Sequence, residues 1–207
     1  MKFWSGTPFM KTTEVVAAAQ MFDEAGYDGL VCSDHLIYPR ELSSPYPDSP
    51  TGRPAWAPET AWPDAWVLIG AMAAATKRLR FSNAVYIAPA RPLLEVAKQV
   101  ATASVLSGGR VSLGVGVGWM REEYELLGQD FDTRGKRLNE MIPALRELTA
   151  GSATPTHGTT RSATPRSSRS FGANMGASTN RSTSCWHCSR RQPRICTSAQ
   201  RTPASRR

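Results

Sequence analysis

The chain has 207 residues and a formal net charge of +8, a value that by itself would suggest a nucleic-acid-binding protein. The charge is unevenly distributed, because residues 1–150 hold all 17 acidic residues and only 15 of the 25 basic ones. Because residues 1–150 are nearly neutral, we expect this part of the chain to act on small molecules and not to bind the phosphate backbone of a nucleic acid specifically. The sequence shows no run of about 18 apolar residues and no secretory signal, so we expect a cytoplasmic protein with no membrane partner.

Strand and helix patterns alternate four times within the first 150 residues. Such alternation predicts parallel strands joined by right-handed helical crossovers, in either a doubly wound sheet or a (β/α) barrel. An eight-fold barrel needs roughly 250 residues, so this part would form about half of one. The predicted strands are Lys2–Trp4, the segment from Gly29, Leu79–Ile87 and the segment within Arg110–Trp119. The predicted helices are one capped by Thr12 or Thr13 and ended at Gly26, Asp64–Thr76, one starting at Pro92, Arg121–Leu127, and one through Leu138–Leu148 that ends at Gly151.

The fourth predicted strand has an unusual composition on one face. Its β-branched and aliphatic residues alternate with small ones, which is typical of a strand. Because the small residues leave one face of this strand almost without side chains, we expect another group to lie close to the backbone there. The spacing is G-x-G-x-G within the strand, which does not match the G-x-G-x-x-G of a dinucleotide-binding turn. The small residues of this face are Ser112, Gly114, Gly116 and Gly118.

Polar residues follow the second and third predicted strands. Ser33, Asp34 and His35 come after the second strand, and Asn83 stands near the end of the third. In parallel α/β folds this edge is where ligands bind. An Asp–His pair there can orient a ring, donate a hydrogen bond to a developing anion or transfer a proton. The alternatives are that Asp34 caps the loop, that His35 is merely polar, and that Asn83 marks a plain strand end.

Residues 152–207 differ in composition from the rest of the chain. They are rich in Arg, Ser, Thr and Pro and contain no Asp, Glu, Lys, Leu, Val or Tyr. Such a segment buries too little apolar surface to offset its ordering entropy, so we expect it to be disordered. Cys185 and Cys188 form a C-x-x-C, but without a folded frame we expect no metal site. We interpret this tail as the product of reading a GC-rich gene out of frame.

Four stretches together resemble the bacterial luciferase-like monooxygenase superfamily, in particular its branch that uses the deazaflavin coenzyme F-420. The resemblance covers residues 1–150, and the order and spacing of the stretches agree with the family. The stretches are Ala25–Leu36, Ala73–Val85, Gly108–Tyr124 and Arg134–Leu148.

The resemblance implies a TIM-like barrel that binds coenzyme F-420 or, alternatively, FMN at the C-terminal ends of its strands. It implies that Ser33, Asp34 and His35 contact the cofactor, with Asp34 and His35 as catalytic residues. Asn83 and a bulge at Ala84 and Val85, often with a cis peptide bond, would support the ring, and the strand with Gly116 and Gly118 would pass beside it. Relatives that oxidise sugar phosphates carry an acid at the position of Trp119, which disfavours that substrate class.

Three functions therefore compete at the level of sequence. The first is a flavin- or deazaflavin-dependent oxidoreductase acting on a small organic substrate, impaired because strands five to eight and their phosphate-binding loops are missing from the pattern. The second is a catalytically inactive half-barrel of residues 1–151. The third is a nucleic-acid- or metal-binding protein whose basic tail is the functional part. The free edges of the first and fourth strands also predict self-association.

Overall fold

The computed structural model describes residues 1–150 and the strand Arg194–Thr197. Its elements confirm the predicted alternation of strands and helices in residues 1–150. The strands are β1 (Trp4–Gly6), β2 (Gly29–Cys32), β3 (Arg80–Asn83), β4 (Ser112–Val115) and β5 (Arg194–Thr197). The helices are α1 (Val15–Glu24), α2 (Ala65–Ala75), α3 (Leu93–Leu106), α4 (Arg121–Leu126) and α5 (Arg134–Ala150), with a 3-10 turn at Ala88–Ala90.

The strands are parallel and follow one another in chain order. β2 pairs with β1 and β3, and β5 pairs with β4. Two isolated parallel bridges connect the segments around β3 and β4: Phe81 of β3 with Val111 just before β4, and Tyr86 beyond β3 with Val115 of β4. The chain therefore has an α/β fold built from the (β/α) units of a TIM-like barrel, as the sequence predicts.

The hydrophobic core lies between the sheet and the helices that return along it. Residues on one face of successive strands are almost fully buried, among them Leu30, Phe81 and Leu113. Ile69 of α2 and Val96 of α3 belong to the same cluster. Each such side chain contributes roughly 1.5–3 kcal/mol when fully buried. This packing fixes the positions of the strand ends, where the polar residues lie.

The third strand is shorter than the sequence predicts. It ends at Asn83 rather than at Ile87, because the chain leaves the ladder through a bulge in which the Ala84–Val85 peptide bond is cis. This observation confirms the cis bond that the resemblance implied. The bulge crowds β4, where a Cβ at Gly114 would collide with the Asn83 carbonyl oxygen. The small residues on this face of β4 therefore make room for the end of β3.

Most of the C-terminal segment falls outside the described residues. Arg194–Thr197 forms β5 beside β4, with Ser112 opposite Arg194, so the free edge that the sequence predicts at the fourth strand is paired in the structure. The expected disorder and frameshift, and the C-x-x-C at Cys185 and Cys188, otherwise concern residues that the structure does not describe and stay predictions. None of the helices in the described part is long and apolar enough to cross a membrane.

Arg110, just before β4, joins the end of α2 to the start of β3. Its Nη1 donates to the Leu79 carbonyl at 2.7 Å and to the Thr76 hydroxyl at 3.0 Å. Its Nη2 donates to the carbonyls of Ala73 and Thr76 at 2.7 and 3.1 Å, and its Nε donates to the Ser107 carbonyl. All five donors of the guanidinium are therefore used, so this side chain satisfies carbonyls that the helix end leaves without partners.

We predict that Arg110→Met lowers the free energy of unfolding by about 2–4 kcal/mol, because these carbonyls lose charge-assisted hydrogen bonds. Urea denaturation of the full chain measures the change. Arg80→Met is the matched control, since Arg80 is exposed and its side chain makes no hydrogen bond in the described part. Equal effects of the two substitutions would contradict this role of Arg110.

Candidate active site

A cavity of about 330 Å³ opens at the C-terminal ends of β2, β3 and β4. The loops after these strands and the long loop between β2 and α2 form its wall. Among the predicted site residues, the cavity is lined by Ser33, Asp34, His35, Ala84, Val85 and Gly118. Other lining residues are Pro8, Phe9, Tyr46, Pro47, Asp48, Trp56, Trp62, Ile87 and Trp119.

Asp34 forms a buried, bidentate ion pair with Arg91. Its Oδ1 accepts a hydrogen bond from Arg91 Nη2 at 2.8 Å, and its Oδ2 accepts from Arg91 Nη1 and the Ile87 N–H, both at 2.8 Å. Burial raises the pKa of the Asp34 carboxyl, and the Arg91 guanidinium acts against that rise. Both carboxylate oxygens are thereby engaged, and they tie the end of β2 to the segment that follows the bulge. Its predicted catalytic role stays a prediction.

His35 is held by the buried side chain of Glu123, the third residue of α4. The His35 Nδ1 lies 3.2 Å from Glu123 Oε1, which also accepts a hydrogen bond from the Leu36 N–H at 2.7 Å. Because a carboxylate only accepts, this geometry assigns the Nδ1–H tautomer to the neutral imidazole. Nε2 makes no hydrogen bond within the described part of the chain. The ring is therefore oriented at one nitrogen, and the other nitrogen has no partner among the described residues.

Glu122, next to Glu123, holds the long loop. Its Oε1 accepts from the N–H and hydroxyl of Ser43 at 2.7 Å and from the Ser44 N–H at 3.0 Å. Its Oε2 accepts from the Ser44 hydroxyl at 2.7 Å. Burial alone would raise the pKa of Glu122, but these hydrogen bonds outweigh it and lower the pKa to about 2. Glu122 therefore fixes the long loop, and its neighbour Glu123 fixes His35.

Glycines of the fourth strand and its end allow the bulge to approach. A Cβ at Gly116 would collide with the Val85 side chain, so Gly116 is covered by the bulge and does not line the cavity. Gly118 does line it; its φ of +71° favours glycine, and a Cβ there would lie 2.9 Å from Ile87 Cγ2.

Asn83 does not line the cavity either. It is 4% exposed, and residues two apart in a strand share a face, so it lies on the same face as Phe81. Both polar atoms of its amide are buried without a hydrogen-bond partner among the described residues. The structure thus separates Asn83 and Gly116 from the other predicted site residues, although their proposed contact with a cofactor stays untested.

Sequence reasoning missed Arg91, Glu122, Glu123 and the aromatic residues of the long loop. The pair of glutamates after the glycine-rich strand was a usable signal, because acids in the first turn of a helix at the ligand-binding edge lie close to the strand ends. Arg91 gave no such signal, since its partner Asp34 is distant in sequence. Within the described residues, no group of three or more His, Cys, Asp and Glu side chains is arranged to hold a metal ion.

Comparison with known proteins identifies the class. The family model described as luciferase-like monooxygenase matches residues 4–174, so this chain belongs to the luciferase-like monooxygenase family. An uncharacterized protein of Mycobacterium tuberculosis is 37% identical over 158 residues, covering 76% of this chain and 55% of the relative. The chain thus spans about half the length of the curated relatives it matches.

Solved structures with the same fold include enzymes that use either cofactor. The oxygenating constituent of 3,6-diketocamphane monooxygenase from Pseudomonas putida, in complex with FMN, has a TM-score of 0.55 and 18% identity, covering 72% of this chain and 39% of its own. An F-420-dependent secondary alcohol dehydrogenase, in complex with an F-420–acetone adduct, has a TM-score of 0.52 and 20% identity, with coverages of 72% and 42%. At this identity the likeness shows the fold alone.

The described residues fit the ring of a flavin or deazaflavin better than its phosphate. The cavity has an exposed surface at Ala84 and an oriented polar ring at His35. None of its described lining residues is a lysine or arginine. The lining therefore offers contacts to a planar ring but no cation to an anionic tail.

We predict that the stabilisation provided by Glu122 is lost in acid. Because its folded pKa of about 2 lies below the ordinary value of 4.5, its contribution is fully present above pH 4.5 and disappears as the pH falls towards 2. The difference in free energy of unfolding between the unmodified chain and Glu122→Gln should be largest near pH 6 and shrink below pH 4.5. Glu125→Gln, at an exposed position, is the control; a gap that stays constant with pH would contradict the prediction.

Proposed function

We propose that this chain is a flavin- or deazaflavin-dependent oxidoreductase acting on a small organic substrate, with coenzyme F-420 or FMN as its cofactor. The observation that carries the proposal is the oriented His35–Glu123 pair at a cavity of about 330 Å³ that Ala84 and Val85 of the bulge also line. Family membership supports the reaction class, and relatives of the same fold are described with FMN and with F-420. Titration with each cofactor distinguishes between them.

His35 is the residue that we assign to proton transfer. Its free Nε2 faces no hydrogen-bond partner in the described part, and Glu123 fixes its tautomer and balances the charge that the ring gains on protonation. Glu123 and Asp34 act as positioning residues, because the first orients the imidazole and the second holds Ile87 and Arg91. When bound, the cofactor supplies the hydride or electron transfer.

One specific observation favours the alternative that this chain is a catalytically inactive half-barrel. The described cavity lining lacks Lys and Arg, so an anionic cofactor tail gains no charge-assisted hydrogen bond from it. Such a bond contributes roughly 1.5–3 kcal/mol, and losing two would weaken binding by about two to four powers of ten. We therefore expect weak cofactor binding by this chain.

Titration of the full chain with F-420 and with FMN, followed by cofactor fluorescence, tests the proposal. We predict saturable binding of one cofactor with a Kd above about 10 μM, and a loss of at least tenfold in Ala84→Leu, which fills the ring site. Ala84 is exposed, so the substitution leaves the core intact.

Ala17→Leu, at an exposed position of α1, is the matched control and should leave binding unchanged. If neither cofactor binds saturably up to 1 mM, on the order of the weakest useful affinities, the remnant interpretation is correct and the oxidoreductase assignment fails for this chain. Binding that Ala84→Leu does not weaken would place the cofactor elsewhere.

A further inference from the structure

Three tryptophan rings cover the imidazole of His35. The ring centroids of Trp56, Trp62 and Trp119 lie 5.2, 4.9 and 5.9 Å from that of His35. The His35 side chain is only 10% exposed, although it lines the cavity. Trp119 follows β4, whereas Trp56 and Trp62 belong to the long loop between β2 and α2. Two of the three covering rings therefore move with that loop.

The long loop contributes nothing to the hydrophobic core. None of residues 37–63 is fully buried, and none belongs to either cluster of buried apolar side chains in the described part of the chain. Segments with few buried apolar contacts open at a low cost in free energy, and active-site lids are drawn from such segments. The loop can therefore open while the sheet and the helices stay folded.

Hydrogen bonds fix the chain at both ends of the loop. Just before it, the Leu36 N–H donates to Glu123 Oε1 at 2.7 Å. Just after it, Asp64 Oδ1 accepts from the N–H groups of Trp66 and Val67, both at 2.9 Å, and so caps the first turn of α2. Residues 37–63 thus span two fixed points.

Between these points, the start of α4 holds the loop to the rest of the chain. Within the described residues, every hydrogen bond that joins residues 37–63 to the remainder of the chain runs from Ser43 or Ser44 to this helix. Glu122 accepts four of these bonds. The Arg121 N–H donates another, to Ser44 Oγ at 3.0 Å. The attachment of the loop therefore depends mainly on one carboxylate.

We propose that residues 37–63 form a lid over His35 and that Glu122 is the latch that keeps this lid closed. In the closed state Trp56 and Trp62 exclude water from the imidazole, and release of the latch admits a ligand to it. Glu122 is a positioning residue, because it acts on His35 only through the loop. The lid itself assumes no reaction; its role in admitting a cofactor ring or substrate rests on the proposed function.

Carbethoxylation of His35 by diethyl pyrocarbonate measures opening of the lid, because the reagent must reach the imidazole. We predict that Glu122→Ala raises the rate at His35 about tenfold or more in the full chain without any cofactor. Loss of even one charge-assisted hydrogen bond shifts an opening equilibrium by about that factor. Peptide mass spectrometry distinguishes His35 from the other histidines of the sequence, His157 and His187.

Cleavage by chymotrypsin after Trp56 is a second measure of opening, made on the loop itself. The Trp56 ring packs against His35 in the closed state, so the protease requires an open lid. If one opening exposes both sites, Glu122→Ala raises the cleavage rate and the carbethoxylation rate by the same factor, to within about twofold. This agreement separates opening of the lid from a local disturbance of α4, which would expose His35 alone.

Variants on both sides of the latch provide the controls. Ser43→Ala combined with Ser44→Ala removes two hydroxyl donors from the loop and leaves α4 unchanged; it should raise both rates by about threefold or more. Glu125→Ala, at an exposed position of α4, should leave both rates unchanged. Thr60→Ala is the control within the loop, because the Thr60 hydroxyl makes no hydrogen bond among the described residues.

Each outcome decides the proposal. Unchanged rates in Glu122→Ala, unequal increases of the two rates, or equal effects of the latch variants and their controls would overturn it. If Glu122→Ala does not fold, the paired serine variant decides by the same criteria. Because neither measurement uses a cofactor, failure of the F-420 and FMN titration would leave the lid standing, and absence of the lid would leave that titration to be judged separately.

Discussion

The ion pair between Asp34 and Arg91 is the interaction on which the candidate site depends. It is buried, bidentate and joined by the Ile87 N–H, so it fixes the end of β2 against the segment that follows β3. A buried pair of this kind adds little stability compared with apolar packing, but breaking it leaves an uncompensated charge in the protein interior. Its main effect here is geometric, because His35 follows Asp34 directly and the bulge precedes Ile87.

Glycines and two adjacent glutamates, in addition to this ion pair, shape the cavity. Glycines at 114, 116 and 118 let the segment from Asn83 to Ile87 lie against β4 and the residues that follow it, because a Cβ at each position would lie too close to Asn83, Val85 or Ile87, respectively. The first turn of α4 then supplies two glutamates with different partners: Glu122 holds the long loop, and Glu123 holds the imidazole. The long loop and the imidazole, which both line the cavity, are thus held by one short helix.

The repeating (β/α) units could be predicted from the sequence because hydrophobic periodicity reports burial, and burial is what the sheet and helices provide. The edge carrying Ser33, Asp34 and His35 followed from the rule that parallel strands bind ligands at their C-terminal ends. The partners of these residues could not be predicted, since Arg91 and Glu123 meet them only after folding. Periodicity also extended β3 to Ile87, because it does not register a bulge that ends a ladder.

A double-mutant cycle on Asp34→Ala and Arg91→Met, measured as the free energy of unfolding of the full chain, tests whether this ion pair holds the end of β2 to the segment after β3. We predict that each single variant loses about 3 kcal/mol, as expected when one partner of a buried pair is removed. The double variant should lose at least 2 kcal/mol less than the two single losses together, on the order of the largest couplings seen for contacting residues. Losses that add to within about 0.5 kcal/mol would show that the pair does not organise the site.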